Sequence, residues 1–308
     1  MTINGLRKIA SAVLCAGLLV TAAACGTTDG SESNSSADNA AKFDVSTVQE
    51  DKAIAAKVPA SVRDSGKLTV GMELSYAPAE FLAEDGKTPT GYDVQLSEAL
   101  GRVMGLKTEI KSSTFDTIVP SVGTKFDLGI TAMTITQERM DAVDFVSYYK
   151  AGSMWVVQKG NPKHVNTSDL CGMTIAVQTG TVQEEEANSI QQQCKADGKK
   201  SVDVQSMKQQ TDAATNVAMG KADVFYADSP IGGYAIEQSD GQLEQLGENE
   251  GTVLQGIAIK KGDTAMAEVV QQAMQKLMDN GDYLKILKAW GAQSGAVDKA
   301  QINPAVKD

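Results

Sequence analysis

From Leu68 onward the chain alternates short β-rich apolar runs with longer stretches whose apolar residues recur at helical spacing. KLTVGM (67–72), FDLGIT (126–131), SMWVVQKG (153–160), MTIAVQTG (173–180), DVFYAD (223–228) and GIAIKKGD (256–263) predict strands. GYDVQLSEALGRVMG (91–105) predicts a helix: Tyr92, Leu96, Ala99 and Val103 fall on one face, and Gly105 can close it. TVQEEEANSIQQQC (181–194) predicts another, opened by a capping box of Thr181 and Glu184. Gly220 ends a further helix before DVFYAD. Met266, Val270, Ala273 and Leu277 share one face of a long helix, and Leu284, Leu287 and Trp290 share that of the last. Strand and helix in alternation predict an α/β architecture, and no internal repeat is evident.

The first residues show another pattern. Arg7 and Lys8 precede the apolar run Ile9–Val20, and Ala22, Ala23 and Ala24 lead into Cys25. No acidic residue occurs before Asp29. This reads as a secretory signal over residues 1–24. The run is too short to cross a bilayer, which takes roughly 20 apolar residues. GTTDGSESNSSADNAAKFD (26–44) is rich in Gly, Ser, Asn and Asp. Such a segment cannot bury enough surface to offset its ordering entropy, so 25–45 reads as a flexible tether. No second hydrophobic span occurs, and the body is expected outside the membrane.

Charge narrows the partners. Lys and Arg number 28 against 39 Asp and Glu, a net charge of −11, and loss of residues 1–24 would remove two cations and no acid. An acidic surface argues against nucleic acid and chiefly favours solubility. Once Cys15 leaves with the signal and Cys25 is set aside, the body keeps Cys171 and Cys194. In an exported protein these are a disulfide or two buried thiols, and neither belongs to a CxxC arrangement. No phosphate loop, metal-ligand spacing or Ser-His-Asp order occurs, so no metal or cofactor is expected. His164, the only histidine, sits in the loop KGNPKHV and is expected at the solvent.

At GYDVQLSEALGRVMG the sequence resembles the bacterial extracellular solute-binding proteins of family 3, receptors that feed polar amino acids to ABC transporters. The resemblance continues, in the family's order, through FDTIVP (115–120), Thr134-x-Thr136-x-x-Arg139, VDFVSYY (143–149) and QTGT (178–181). It spans residues 61–292. The small residues before Cys25 resemble a lipobox, with Ala22 where leucine is usual, which implies cleavage before Cys25 and its lipidation. Cys171 and Cys194 match a pair common in the actinobacterial branch.

The resemblance implies a two-lobed α/β fold of the periplasmic-binding-protein type, with two crossover strands and ligand in the cleft. Lobe 1 would comprise 60–152 with 254–308, and lobe 2 would comprise 153–253. It implies a monomeric substrate-binding component of an ABC importer, held on the outer face of the membrane by its lipid alone. That component would pass a polar amino acid to a permease.

It also implies roles for particular residues. Taken alone, Arg139 belongs on the solvated surface. The motif order instead makes it the anchor of the ligand's α-carboxylate, for which a guanidinium offers a planar fork of donors. Thr134 adds a hydroxyl, backbone near Thr131, Ala132 and Met133 adds further contacts, and Thr136 caps the next helix. Thr181 and Val182 bring a helix N-terminus, an intrinsic carboxylate site. Asp228 matches the family's α-amino ligand, although Asp before Ser-Pro is locally a good helix cap. Asp223 serves the turn into its strand. Tyr76 and Phe115 match the pair that sandwiches the ligand. Glu73 stands where binders of basic or amide amino acids place an aspartate, and Ala79 stands where a bulky residue is usual. The rival class is a dehydratase-like enzyme of the same fold acting on a small carboxylic acid, for which Glu73 is the one candidate acid or base.

Overall fold

The computed structural model describes residues 43–306. The signal, Cys25 and the tether up to residue 42 lie outside them. The strands are β1 (Lys67–Met72), β2 (Ser75–Tyr76), β3 (Glu80–Leu82), β4 (Pro89–Thr90), β5 (Lys107–Ser112), β6 (Leu128–Gly129), β7 (Val143–Gln158), β8 (Thr174–Gln178), β9 (Asp203–Met207), β10 (Val224–Asp228) and β11 (Leu243–Lys260). One sheet has the order β5-β1-β6-β11-β7-β10-β8-β9, and β2, β3 and β4 form a second.

The large sheet is two parallel trios joined by an antiparallel ribbon. β5 and β6 flank β1 in parallel, and β9 and β10 flank β8 in parallel. β11 joins the first trio through β6, and β7 joins the second through β10. β7 and β11 are 16 and 18 residues long, well beyond the usual strand of about 5–6 residues. They pair along nearly their whole length, with register shifts between Leu246 and Gly256. Such irregularities bend and twist a ribbon locally. Gly152 lies in that stretch, where a Cβ would meet the Gly251 carbonyl oxygen at 2.2 Å. Only a bare backbone fits there.

The predicted helices form where the apolar spacing placed them. Tyr92, Leu96, Ala99 and Val103 are buried on the helix Tyr92–Val103, and Gly105 closes it at φ +70°. Gly91 opens it at φ +122°, where a Cβ would also meet the Ala79 carbonyl oxygen at 2.2 Å. The disulfide Cys171–Cys194 is present and ties the turn before β8 to the helix Val182–Ala196. His164 is exposed, and Asp223 accepts the Thr174 N–H at 2.9 Å.

Some expectations change. FDLGIT contributes only Leu128–Gly129 as strand, because the chain then leaves the sheet for Ala132 at φ +47°. SMWVVQKG and GIAIKKGD are parts of the long strands β7 and β11 rather than separate ones. In the helix Asp282–Ala289 the buried face is Tyr283, Ile286 and Leu287, and Leu284 is 38% exposed. The packed body also starts ahead of residue 60. Val48, Ile54 and Val58 are buried in the main core, and Arg102 donates to the Val48 and Ser46 carbonyls at 3.0 and 2.6 Å.

Candidate functional site

The segment after β6 builds one wall of the site. Thr136 caps the helix Gln137–Ala142 by accepting the Arg139 N–H at 3.2 Å. That first turn brings the Arg139 side chain back along the wall, half-buried. Its Nη1 donates to the Thr134 carbonyl at 2.7 Å and its Nη2 to the Gly180 carbonyl at 2.9 Å. The guanidinium lies over the Phe115 ring, 5.4 Å from its centroid, a cation–π distance. Burial pulls its pKa down, opposed by the fields of Glu185 and Asp228. Arginine nonetheless stays charged. It is no freely solvated side chain.

The facing wall is a strand-to-helix turn. Thr181 caps the helix Val182–Ala196: its hydroxyl accepts the Glu184 N–H at 3.1 Å and donates to the Gln178 carbonyl at 2.7 Å. Glu184 reaches back to the Gly180 N–H at 2.6 Å, one residue upstream of the position that the predicted capping box assigns. Gly180, which makes this contact, is itself at φ +83°.

Asp228 closes the end. It stands at the cap position of the helix Ser229–Glu237, yet its side chain makes no capping bond. The carboxylate instead accepts Tyr76 Oη at 3.0 Å and Gln255 Nε2 at 2.8 Å on Oδ2, and Gln183 Nε2 at 2.8 Å on Oδ1. Burial pushes its pKa up to about 6, held from rising further by these bonds and by Arg139.

Tyr76, Phe115, Ala132, Thr134, Arg139, Thr181, Val182 and Asp228 thus line one small cavity, together with Gln183. Its volume is about 10 Å³, room for a single water. Anything larger requires the walls to part. The guanidinium and the carboxylate leave one cationic and one anionic group in the same enclosure.

Three of the predicted residues sit behind this wall. Met133 is buried among apolar residues including Ile135 and Phe145, and its carbonyl accepts the Gly256 N–H at 2.9 Å. Thr131 Oγ1 accepts the Glu73 N–H at 3.1 Å and donates to Glu80 Oε1 at 2.6 Å. Glu73 is buried, and its Oε2 takes Ser75 Oγ at 2.8 Å, Gln178 Nε2 at 2.8 Å and the Ser75 N–H at 3.3 Å. Burial raises its pKa, offset by these donors. Sequence reasoning missed Gln183, Gln178 and Gln255. Glutamine carries no charge or spacing signal, and only the fold reveals that all three aim at buried carboxylates.

Among the described residues no group of three or more His, Cys, Asp or Glu could hold a metal ion, and no helix is long and apolar enough to cross a membrane.

The comparisons converge on one family. A family model described as bacterial extracellular solute-binding proteins, family 3, matches residues 68–293. The arginine-binding protein ArgT of Corynebacterium glutamicum is 34% identical over 253 residues, covering 81% of this chain and 82% of that one. An ancestral arginine-binding protein solved with arginine is 30% identical with a TM-score of 0.67, covering 73% of this chain and 98% of that one. The ancestral amino acid-binding protein AncCDT-1, a precursor of cyclohexadienyl dehydratase, is 28% identical with a TM-score of 0.67, covering 75% and 97%.

Proposed function

This chain belongs to the bacterial extracellular solute-binding proteins, family 3, and from that premise we propose that its cavity binds an amino acid with a cationic side chain. As the substrate-binding component of an ABC importer, it would hand this ligand to a membrane permease. The observation that carries the reading is the pairing of Arg139 and Asp228 in one enclosure.

An amino acid is a zwitterion, and each end finds a partner of opposite charge. The Arg139 guanidinium has five N–H donors, and the two carbonyl contacts leave enough of them for a two-pronged grip on the α-carboxylate. The N-terminus of the helix Val182–Ala196 approaches the same anion from the other wall. Asp228, ionised above about pH 6, takes the α-ammonium, with Tyr76 and Phe115 on the ligand's flanks. Glu73, behind the wall while the cavity is this small, would meet the ligand's side chain once the walls part. Its hydrogen bonds all converge on Oε2, so Oε1 is free to accept from a guanidinium or ammonium.

We assign residues 60–152 and 254–308 to lobe 1, with the packed segment from about residue 45 added, and 153–253 to lobe 2. The irregular stretch of β7 and β11 would be the hinge. Ligand contacts made to both walls favour the closed form, and that form would dock to the permease. The matched relatives are binding proteins by name, which supports a receptor over an enzyme.

A thermal-shift screen against the common amino acids tests the reading. Arginine at a hundred times its dissociation constant should stabilise the protein by about 2.7 kcal/mol; no shift with any amino acid would refute it. We further propose that the mature chain starts at a lipidated Cys25 and is membrane-held as a monomer. Cys25→Ser should then release exported protein from the membrane fraction, and firm retention of that variant would contradict the anchor.

A further inference from the structure

Behind the cavity wall lie two neighbouring carboxyl groups, and among the described residues neither is in a salt bridge. Glu80, in β3, and Asp93, in the first turn of the helix Tyr92–Val103, are both fully buried. Glu80 Oε1 accepts the Thr131 hydroxyl at 2.6 Å. Asp93 Oδ2 accepts the Tyr148 hydroxyl at 2.6 Å and the Ala132 N–H at 2.8 Å. The remaining oxygens, Glu80 Oε2 and Asp93 Oδ1, are buried without a donor, and the two groups hold the adjacent residues Thr131 and Ala132, close enough to act on each other.

Two carboxylates in such a site cannot both ionise. A single proton between them supplies both orphaned oxygens at once, and an unsatisfied buried polar atom is costly. Asp93 already has two donors on one oxygen and Glu80 has one, so the charge belongs on Asp93 and the proton on Glu80. We infer that Glu80 and Asp93 share one proton at neutral pH and act as a positioning pair for the ligand wall, fixing Thr131 and Ala132.

Thr131 and Ala132 lead directly into the wall that carries Arg139. Ala132 adopts φ +47°, a left-handed conformation that an L-residue holds only when its surroundings impose it. Its N–H is held by Asp93, and Thr131 is held by Glu80. Two residues on, the Thr134 carbonyl orients Arg139. The pair is thus coupled to the carboxylate anchor through three residues of backbone, without touching the cavity.

The other titratable groups around the pair do not compete for this role. Tyr76, Tyr92, Tyr148, Tyr149 and Tyr283 surround it and stay neutral at ordinary pH. Glu73 also acts on Glu80, and as an anion it favours retention of the proton. Burial raises both members of the pair. A raised acid stabilises the fold below its unfolded pKa, about 4.3 for glutamate, and that contribution fades as pH rises toward the folded value.

The tests use ligand-free protein, so their outcome is separate from the amino acid-binding reading, on which only the term ligand wall rests. Infrared difference spectra of wild type against Glu80→Gln should show a protonated carboxylic acid at neutral pH; its absence overturns the shared proton. The melting temperature should fall less steeply with rising pH in Glu80→Gln than in wild type, and equal slopes contradict the pair. Exchange of the Ala132 amide should be roughly tenfold faster in Glu80→Ala and restored in Glu80→Gln, which keeps one donor and one acceptor. Unchanged exchange in Glu80→Ala removes the positioning role.

Discussion

Asp228 and Glu73 are buried to the same degree, 5% exposed each, yet they meet different surroundings. Asp228 is held on both oxygens by donors from β2, β11 and the helix Val182–Ala196, and it lies in the field of Arg139. Glu73 has its donors on one oxygen, and among the described residues it is in no salt bridge. The first arrangement fixes a carboxylate rigidly in a wall. The second leaves half of a carboxylate unused. A fixed acid suits the part of a ligand that never varies, its ammonium, and a half-used acid suits the part that does.

Substitution at the fixed acid should have the larger effect. Asp228→Ala should weaken arginine by about 2 to 5 kcal/mol, the cost of breaking one side of a buried charge pair. That is thirtyfold or more in affinity, measurable by calorimetry. Its pH dependence carries a definite sign. Because Asp228 is raised to about 6, affinity should fall as pH drops through that value and the carboxylate is neutralised. Ligand-free stability runs the other way: the Asp228 contribution is complete below the ordinary aspartate value and is lost as pH rises through about 6. Affinity that stayed flat between about pH 5 and pH 7, one unit either side of the shifted value of about 6, would show that Asp228 holds no cation.

Glu73→Gln should matter less and more selectively. Arginine would lose a charge-assisted bond, roughly 1.5 to 3 kcal/mol, while glutamine would change little. Equal losses for both would mean that Glu73 supports the fold alone. The smallest effect on binding belongs to the disulfide. Removing Cys171 and Cys194 together should destabilise by roughly 3 kcal/mol in the chain-entropy model, given their separation of 23 residues. Affinity should not change, since neither cysteine lines the cavity. Denaturant titration and calorimetry on one Cys171→Ser, Cys194→Ser variant separate the two.

How far each feature was legible in the sequence depends on how its signal arises. Periodicity located the strands and helices because burial of one face dictates it, and it failed where burial was total or the chain turned. β7 looked like short runs because a strand buried on both faces shows no alternation, and β11 because its stretch 247–253 is exposed and carries no apolar pattern. Leu284 misled because either of two neighbouring stripes can satisfy a helical spacing. Among site residues, Arg139, Asp228, Thr181 and Val182 stood on motif order, and the structure gathers them at one cavity. The glutamines and the Glu80–Asp93 pair gave no signal. A buried acid reads in sequence like any exposed one, and only its missing counter-charge sets it apart.

Everything proposed for the cavity depends on Arg139 gripping a carboxylate, and calorimetry on Arg139→Ala probes that grip itself. Wild type and variant would each be titrated with arginine and with the same amino acid amidated at its α-carboxylate. Wild type should prefer the free acid by thirtyfold or more, a difference of about 2 kcal/mol or above. The variant, still folded and melting cooperatively, should bind both forms weakly and alike. Arginine bound by Arg139→Ala as tightly as by wild type would return Arg139 to the surface and contradict its role as the anchor.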